Sequence, residues 1–95
     1  ALGLRLAAAN LAFTNGRIED AIREYRRLRD DAPHSAEALP AAYNLGLALL
    51  RTWSMPEARK AFTDVIDRGR GTPLGRLGGW WVGRTELDLG NPADA

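Results

Sequence analysis

Apolar residues along this chain recur at steps of three and four, the spacing of one face of a helix, and no stretch alternates apolar and polar residues as a strand would. From Leu2 to Asn15 the chain is rich in Ala and Leu. Leu4, Ala8, Leu11 and Ala12 fall on one helical face, and Asn15-Gly16 breaks the pattern. A second helix is predicted from about Arg17 to Asp31. Its apolar face is Ile18, Ala21, Ile22, Tyr25 and Leu28; its polar face is Arg23, Arg26, Arg27, Arg29 and Asp30; and Glu19 is placed to pair with Arg23 four residues on. Pro33 ends it. Ser35 is a candidate N-cap for a third helix reaching about Thr52, with Tyr43, Leu45, Gly46, Leu49 and Leu50 as its apolar body. Pro40 calls for either a start near Leu39 or a bend there.

Ser54-Met55-Pro56-Glu57 has the spacing of a capping box and opens a fourth helix, about Met55 to Arg68. That helix is expected to bury Ala58, Ala61, Phe62, Val65 and Ile66 and to end on Gly69 as a left-handed C-cap. Thr72 and Pro73 supply the N-cap and first position of a fifth helix, about Pro73 to Leu89, holding Leu77, Trp80, Trp81, Val82 and Leu87. Gly75, Gly78 and Gly79 are expected to weaken its first turns by about 1 kcal/mol each relative to Ala. Gly90 ends this helix, and Asn91-Pro92-Ala93-Asp94 reads as the cap of a sixth.

The helices repeat. Ala21, Ala58 and Ala95 are 37 residues apart, as are Ala9, Gly46 and Gly83, and Gly16, Trp53 and Gly90; Tyr25 and Phe62 keep the same step, as do Leu28 and Val65. A fixed period in this range marks stacked supersecondary units, each burying its apolar face only against its neighbours. Short loops make consecutive helices antiparallel. Small residues at Ala9, Gly46 and Gly83 would then face Ala21, Ala58 and Ala95, where larger side chains would force the helices apart. The reading is all-α: antiparallel helix–turn–helix units in one domain over 1–95, with repeat one at about 2–35, repeat two at about 36–72 and a truncated repeat three at about 73–95.

Composition narrows the function classes. The chain has 95 residues, 13 basic and 12 acidic, for a net charge of +1. That balance gives no reason to expect nucleic acid or an anionic membrane as partner. All basic residues but Lys60 are Arg. There is no Cys, so disulfides and thiolate metal sites are excluded. No run approaches the roughly 20 apolar residues of a membrane span. The first residues, Ala-Leu-Gly-Leu-Arg-Leu, lack the pattern of a signal peptide. Both ends read as those of a piece of a longer protein.

Repeat two carries Tyr43-Asn44-Leu45-Gly46, Leu49, Ala58, Phe62 and Val65; repeat one carries Gly16, Ala21, Tyr25, Leu28 and Pro33; repeat three carries Trp80, Val82-Gly83, Gly90 and Ala95. This phase-locked set of small and aromatic positions resembles a tetratricopeptide repeat over nearly the whole chain. The chain departs from that pattern with Trp53 at the turn glycine and Arg70 at the closing proline. The resemblance implies a right-handed α-α superhelix of about two and a half repeats. The unit is 37 residues where the usual one is 34. Longer units with such Pro-x-Ser or Thr-Pro-Leu junctions are similar to those of bacterial cell-envelope members, though cytoplasmic bacterial repeats share the junction. The compartment is therefore open between bacterial periplasm or cell envelope and cytoplasm.

No catalytic constellation is visible, and the chain is expected to be no enzyme, with no cofactor and no metal. His34 stands alone in a linker. Asp30-Asp31 has no further ligands around it in sequence. The glycines near Gly69 lack the Gly-Lys-Ser/Thr element of a phosphate loop. The resemblance instead implies a concave groove lined by the first helix of each unit. The groove candidates are Asn10, Phe13, Tyr43, Asn44, Leu47, Arg51, Trp80 and Arg84, with Leu6, Thr14, Leu50, Trp81 and Asp88 beside them. Asn10 and Asn44 fall where two Asn of the family's peptide-carboxylate clamp lie. Leu6, Leu77 and Trp81 stand where its Lys and Arg belong, which argues against an acidic C-terminal peptide as ligand. Of the neighbours Trp80 and Trp81, about 100° apart on a helix, one is expected to be buried and one on the groove or its rim. The expected function is a protein-interaction scaffold binding a protein or peptide segment. The alternatives are a helical accessory domain of a larger bacterial enzyme, such as a cell-wall hydrolase, and self-association as a homo-oligomer through the open face of the third repeat.

Overall fold

Five helices form where the periodicity places them: α1 (Leu2–Thr14), α2 (Ile18–Asp31), α3 (Ala38–Arg51), α4 (Met55–Arg68) and α5 (Pro73–Asp88). The structure, a computed structural model, describes residues 1–88, among which there is no strand. The Gly90 stop, the cap over 91–94 and Ala95 lie outside the described residues.

Each helix packs on the next in sequence, with lesser contacts between α1 and α3 and between α3 and α5. The pairings are antiparallel: Arg5 near the start of α1 bonds Asp31 at the end of α2, and Arg59 early in α4 faces Glu86 late in α5. Two layers result. One holds the first helices α1, α3 and α5; the other holds α2 and α4, tied across by Arg26 to Glu57 at 3.0 Å and by Arg68 donating to the Pro33 carbonyl. The array is longer than it is thick, 46 × 30 × 18 Å.

Helix ends depart from several expectations. α3 starts at Ala38 behind Glu37, so Pro40 sits in its first turn, where the missing N–H has no partner to lose. Ser35 is not its N-cap; its hydroxyl donates to the Ala32 carbonyl and closes the turn after α2. Ser54 does precede α4, but the capping box does not form. Its hydroxyl pairs with that of Thr52, and Glu57 is drawn outward to Arg26. Gly69 is not left-handed (φ −105°); the positive φ in that loop belongs to Gly71, at 79°. Thr72 caps α5 as expected, accepting from the Gly75 amide at 3.1 Å. Arg23 pairs with Asp20 one turn back rather than with Glu19, because both charges already lie on the outer face of α2.

The core is built of small residues on one helix under rings on the next. Ala9, Ala21, Ala41, Ala42, Ala48 and Ala58 are wholly buried, as are Tyr25 and Phe62. Gly46 lies against the Phe62 ring, where a Cβ would come within 2.5 Å of it, so the glycine makes room for that ring. The glycines of α5 were expected only to weaken it. Gly75 and Gly78 are instead buried contacts, since a Cβ at Gly75 would overlap the Gly69 carbonyl and one at Gly78 would press on Val65. α5 thus trades helix propensity for a close approach to α4. The face it buries is Gly75, Gly78 and Thr85, with Val82 partly covered, while Leu77, Trp80 and Leu87 are exposed. Gly83 has open space around it. In α1 the buried residues are Ala9 and Ala12; of the apolar face read from the sequence, Leu4 and Leu11 are 77% and 57% exposed.

Candidate functional site

Two junctions join consecutive first helices over a ring from the second layer. In the first, Tyr25 of α2 reaches up between α1 and α3. Its hydroxyl donates to Asn10 Oδ1 at 2.5 Å, and Asn44 Nδ2 donates to the same oxygen at 3.0 Å. The phenol is wholly buried, and burial pushes its pKa up to about 12, with the Asn44 amide acting in the opposite direction. Asn10 and Asn44 are thus brought together, but Asn10 Oδ1 is occupied in holding Tyr25. Sequence reasoning placed Tyr25 as plain core. The usable signal was its hydroxyl: a buried phenol needs a partner, and Phe62 at the same repeat position does not.

The second junction is aromatic. Phe62 of α4 lies under α3 and α5, stacked on Trp81 at 5.5 Å between ring centres and meeting Tyr43 edge-on at 5.8 Å. Trp81 Nε1 donates to the Tyr43 hydroxyl at 3.0 Å, so the polar tips of both rings are satisfied at the surface of the stack. Trp80 meets Trp81 edge-on at 4.8 Å and is 59% exposed. Trp81 is the half-buried member of the pair and Trp80 the outward one.

The remaining candidates lie on the same layer. Leu47 is half-buried against the core. Arg51, at the end of α3, stacks its guanidinium over the Phe13 ring of α1, 5.6 Å from the ring centre. With Thr14 these residues line an open cleft of about 330 Å³. Arg84 joins none of the other candidates; it faces Asp88 on its own helix at 3.6 Å. The face made by α1, α3 and α5 therefore carries half-buried Phe13, Tyr43 and Trp81, exposed Trp80, and exposed Arg51 and Arg84. Among the described residues no cluster of His, Asp or Glu is arranged to hold a metal ion, and every buried side-chain polar atom has a hydrogen-bond partner. Flat aromatic area next to guanidinium groups suits contact with another polypeptide.

Stacked antiparallel helix pairs presenting such a face define a helical-repeat scaffold. Residues 6–73 match the family model described as tetratricopeptide repeat, and the chain belongs to that family. Repeats of this kind are non-catalytic and generally mediate protein–protein interaction. Comparison with curated proteins and with solved structures found no match. No helix among the described residues is long and apolar enough to cross a membrane.

Proposed function

We propose that this chain is a docking scaffold that takes a segment of a partner protein along the face of α1, α3 and α5. The observation that carries this reading is the exposed Trp80, edge-on to the Trp81–Phe62–Tyr43 stack. An indole held rigidly on a supported platform offers a large contact area at little entropic cost, and Trp, Tyr and Arg are the residues that dominate binding energy at protein interfaces.

The test uses random twelve-residue peptides displayed on phage and selected against the full chain. Affinities of the selected peptides are then measured for Trp80→Ala, Tyr43→Ala and Arg51→Ala. Loss of about tenfold or more for Trp80→Ala is expected. If all three variants bind like the parent, the face is wrongly assigned. A second reading, association of two copies through α5, is favoured by the exposure of Leu77, Trp80 and Leu87 on one side of that helix. Sedimentation across a concentration series separates the two, because a Trp80-dependent dimer would compete with the peptide.

A further inference from the structure

We infer that the Phe13–Thr14–Arg51 cleft is a subsite for an Asp or Glu side chain in the middle of an extended partner segment. The inference rests on the docking reading above and names the chemistry of the partner.

Arg51 differs from most arginines of this chain. Arg5, Arg23, Arg26, Arg27, Arg29, Arg59, Arg68, Arg70 and Arg84 each face a carboxylate on the protein itself. Arg51 forms no salt bridge among the described residues. Its guanidinium lies instead over the Phe13 ring, which fixes its position without consuming its N–H donors. A guanidinium held this way presents its donor fork to a carboxylate with little ordering left to do. Thr14 fits the same picture: its hydroxyl proton is given to the Asn10 carbonyl at 2.9 Å, so toward the cleft its oxygen can only accept, for example from a peptide N–H.

Position along the array selects a side chain rather than a chain terminus. Thr14, Arg51 and Asp88 are 37 residues apart and occupy one place in three successive repeats. Along this row the first helices present a neutral, a positive and a negative residue in turn, and Asp88 is already matched by Arg84. A segment crossing α1, α3 and α5 therefore meets Arg51 at mid-length, with apolar contacts available on Tyr43 and Trp80 beyond it.

The test is a double-mutant cycle on the peptides selected above, both termini blocked. Selection on the parent is expected to enrich Asp or Glu at one fixed position beside an apolar or aromatic residue. Replacing that acid by Gln or Asn should cost about tenfold or more in affinity for the parent and close to nothing for Arg51→Gln. Arg51 is exposed, so circular dichroism of Arg51→Gln should match the parent. If the selected peptides show no acid preference, or lose the same affinity on both proteins, the subsite is wrong. Continued dependence on Trp80 and Tyr43 would then leave the docking face standing. Peptides indifferent to all three residues, or no selected peptides, would overturn both.

Discussion

Trp53 carries the least comfortable backbone in the molecule. Its φ is +57°, and it is the only non-glycine residue with positive φ among the described residues. Its counterpart one repeat earlier is Gly16, at +82° in the turn between α1 and α2. Both residues turn the chain sharply between antiparallel helices, and that turn needs a left-handed residue. Glycine meets the need freely, whereas a Cβ there costs about 1–2 kcal/mol. Packing does not offset the cost, because the indole is 79% exposed. Trp53→Gly should therefore stabilise the fold. The gain is about 0.5–1 kcal/mol once the greater freedom of glycine in the unfolded chain is subtracted. The urea midpoint should rise with an unchanged slope. A midpoint that falls would mean the indole makes stabilising contacts that its exposure conceals.

Between elements, Tyr25 is the clearest case of one side chain binding three helices, since it rises from α2 to the Asn10–Asn44 pair on α1 and α3. Its pKa gives a measurable signature. The unfolded phenol ionises near 10 and the folded one near 12, because the buried site disfavours the phenolate. Between those values the unfolded chain has lost a proton that the folded chain keeps, so stability is full below pH 10 and falls as pH rises through 12. The slope is about 1 kcal/mol per pH unit. Denaturant titrations from pH 9 to 12 should show this loss, and Tyr25→Phe should flatten that part of the curve. Equal slopes for parent and variant would place the ionisation elsewhere. The same junction shows what the sequence makes legible. The 37-residue step locates Tyr25 and Phe62 under the first helices, and the periodicity sets four of the five helix starts to within a residue. α3 begins three residues after the cap assigned to Ser35 and one before the Leu39 start that Pro40 allowed. It does not reveal which polar group answers which. Ser54, Glu57 and Glu19 lose their expected local partners because Thr52, Arg26 and Asp20 lie closer in space or on the same exposed face. Nor does it separate a helix-weakening glycine from one that admits a neighbour: Gly75 and Gly79 read alike, and only the Gly69 carbonyl lying against Gly75 distinguishes them. Among the candidate site residues, the placing of Phe13, Tyr43 and Trp80 on the first helices was legible from the 37-residue register. The stacking of Arg51 on Phe13 was not, since it joins residues from different repeats.

The whole array follows nearest-neighbour logic, in which each helix is held by its own propensity and by the interfaces on either side. α3 has α2 and α4 against it and touches both other first helices; α1 rests mainly on α2, and α5 mainly on α4. The open face of α1 corresponds to faces that are covered in α3 and α5. Leu4, Ala8 and Leu11 lie 37 residues before Ala41, Leu45 and Ala48, which are buried in α3, and 37 more reach Gly78, Val82 and Thr85, the side of α5 turned to α4. The repeat position is thus the one that meets a preceding second helix, and among the described residues α1 has none. Two consequences follow for the chain. Amide hydrogen exchange should be slowest in α2, α3 and α4 and faster in α1 and α5, because an end helix can open without breaking the interfaces at the centre. Replacing both Leu4 and Leu11 by Glu should change stability by no more than about 0.5 kcal/mol for each substitution. Leu45→Glu, at the equivalent of Ala8 but 1% exposed, should prevent folding, since it buries a charge with no partner. Amides in α1 as protected as those in α3, or a Leu4→Glu/Leu11→Glu variant that melts far below the parent, would show that this face is covered in solution. The array would then associate through its first helix rather than through α5.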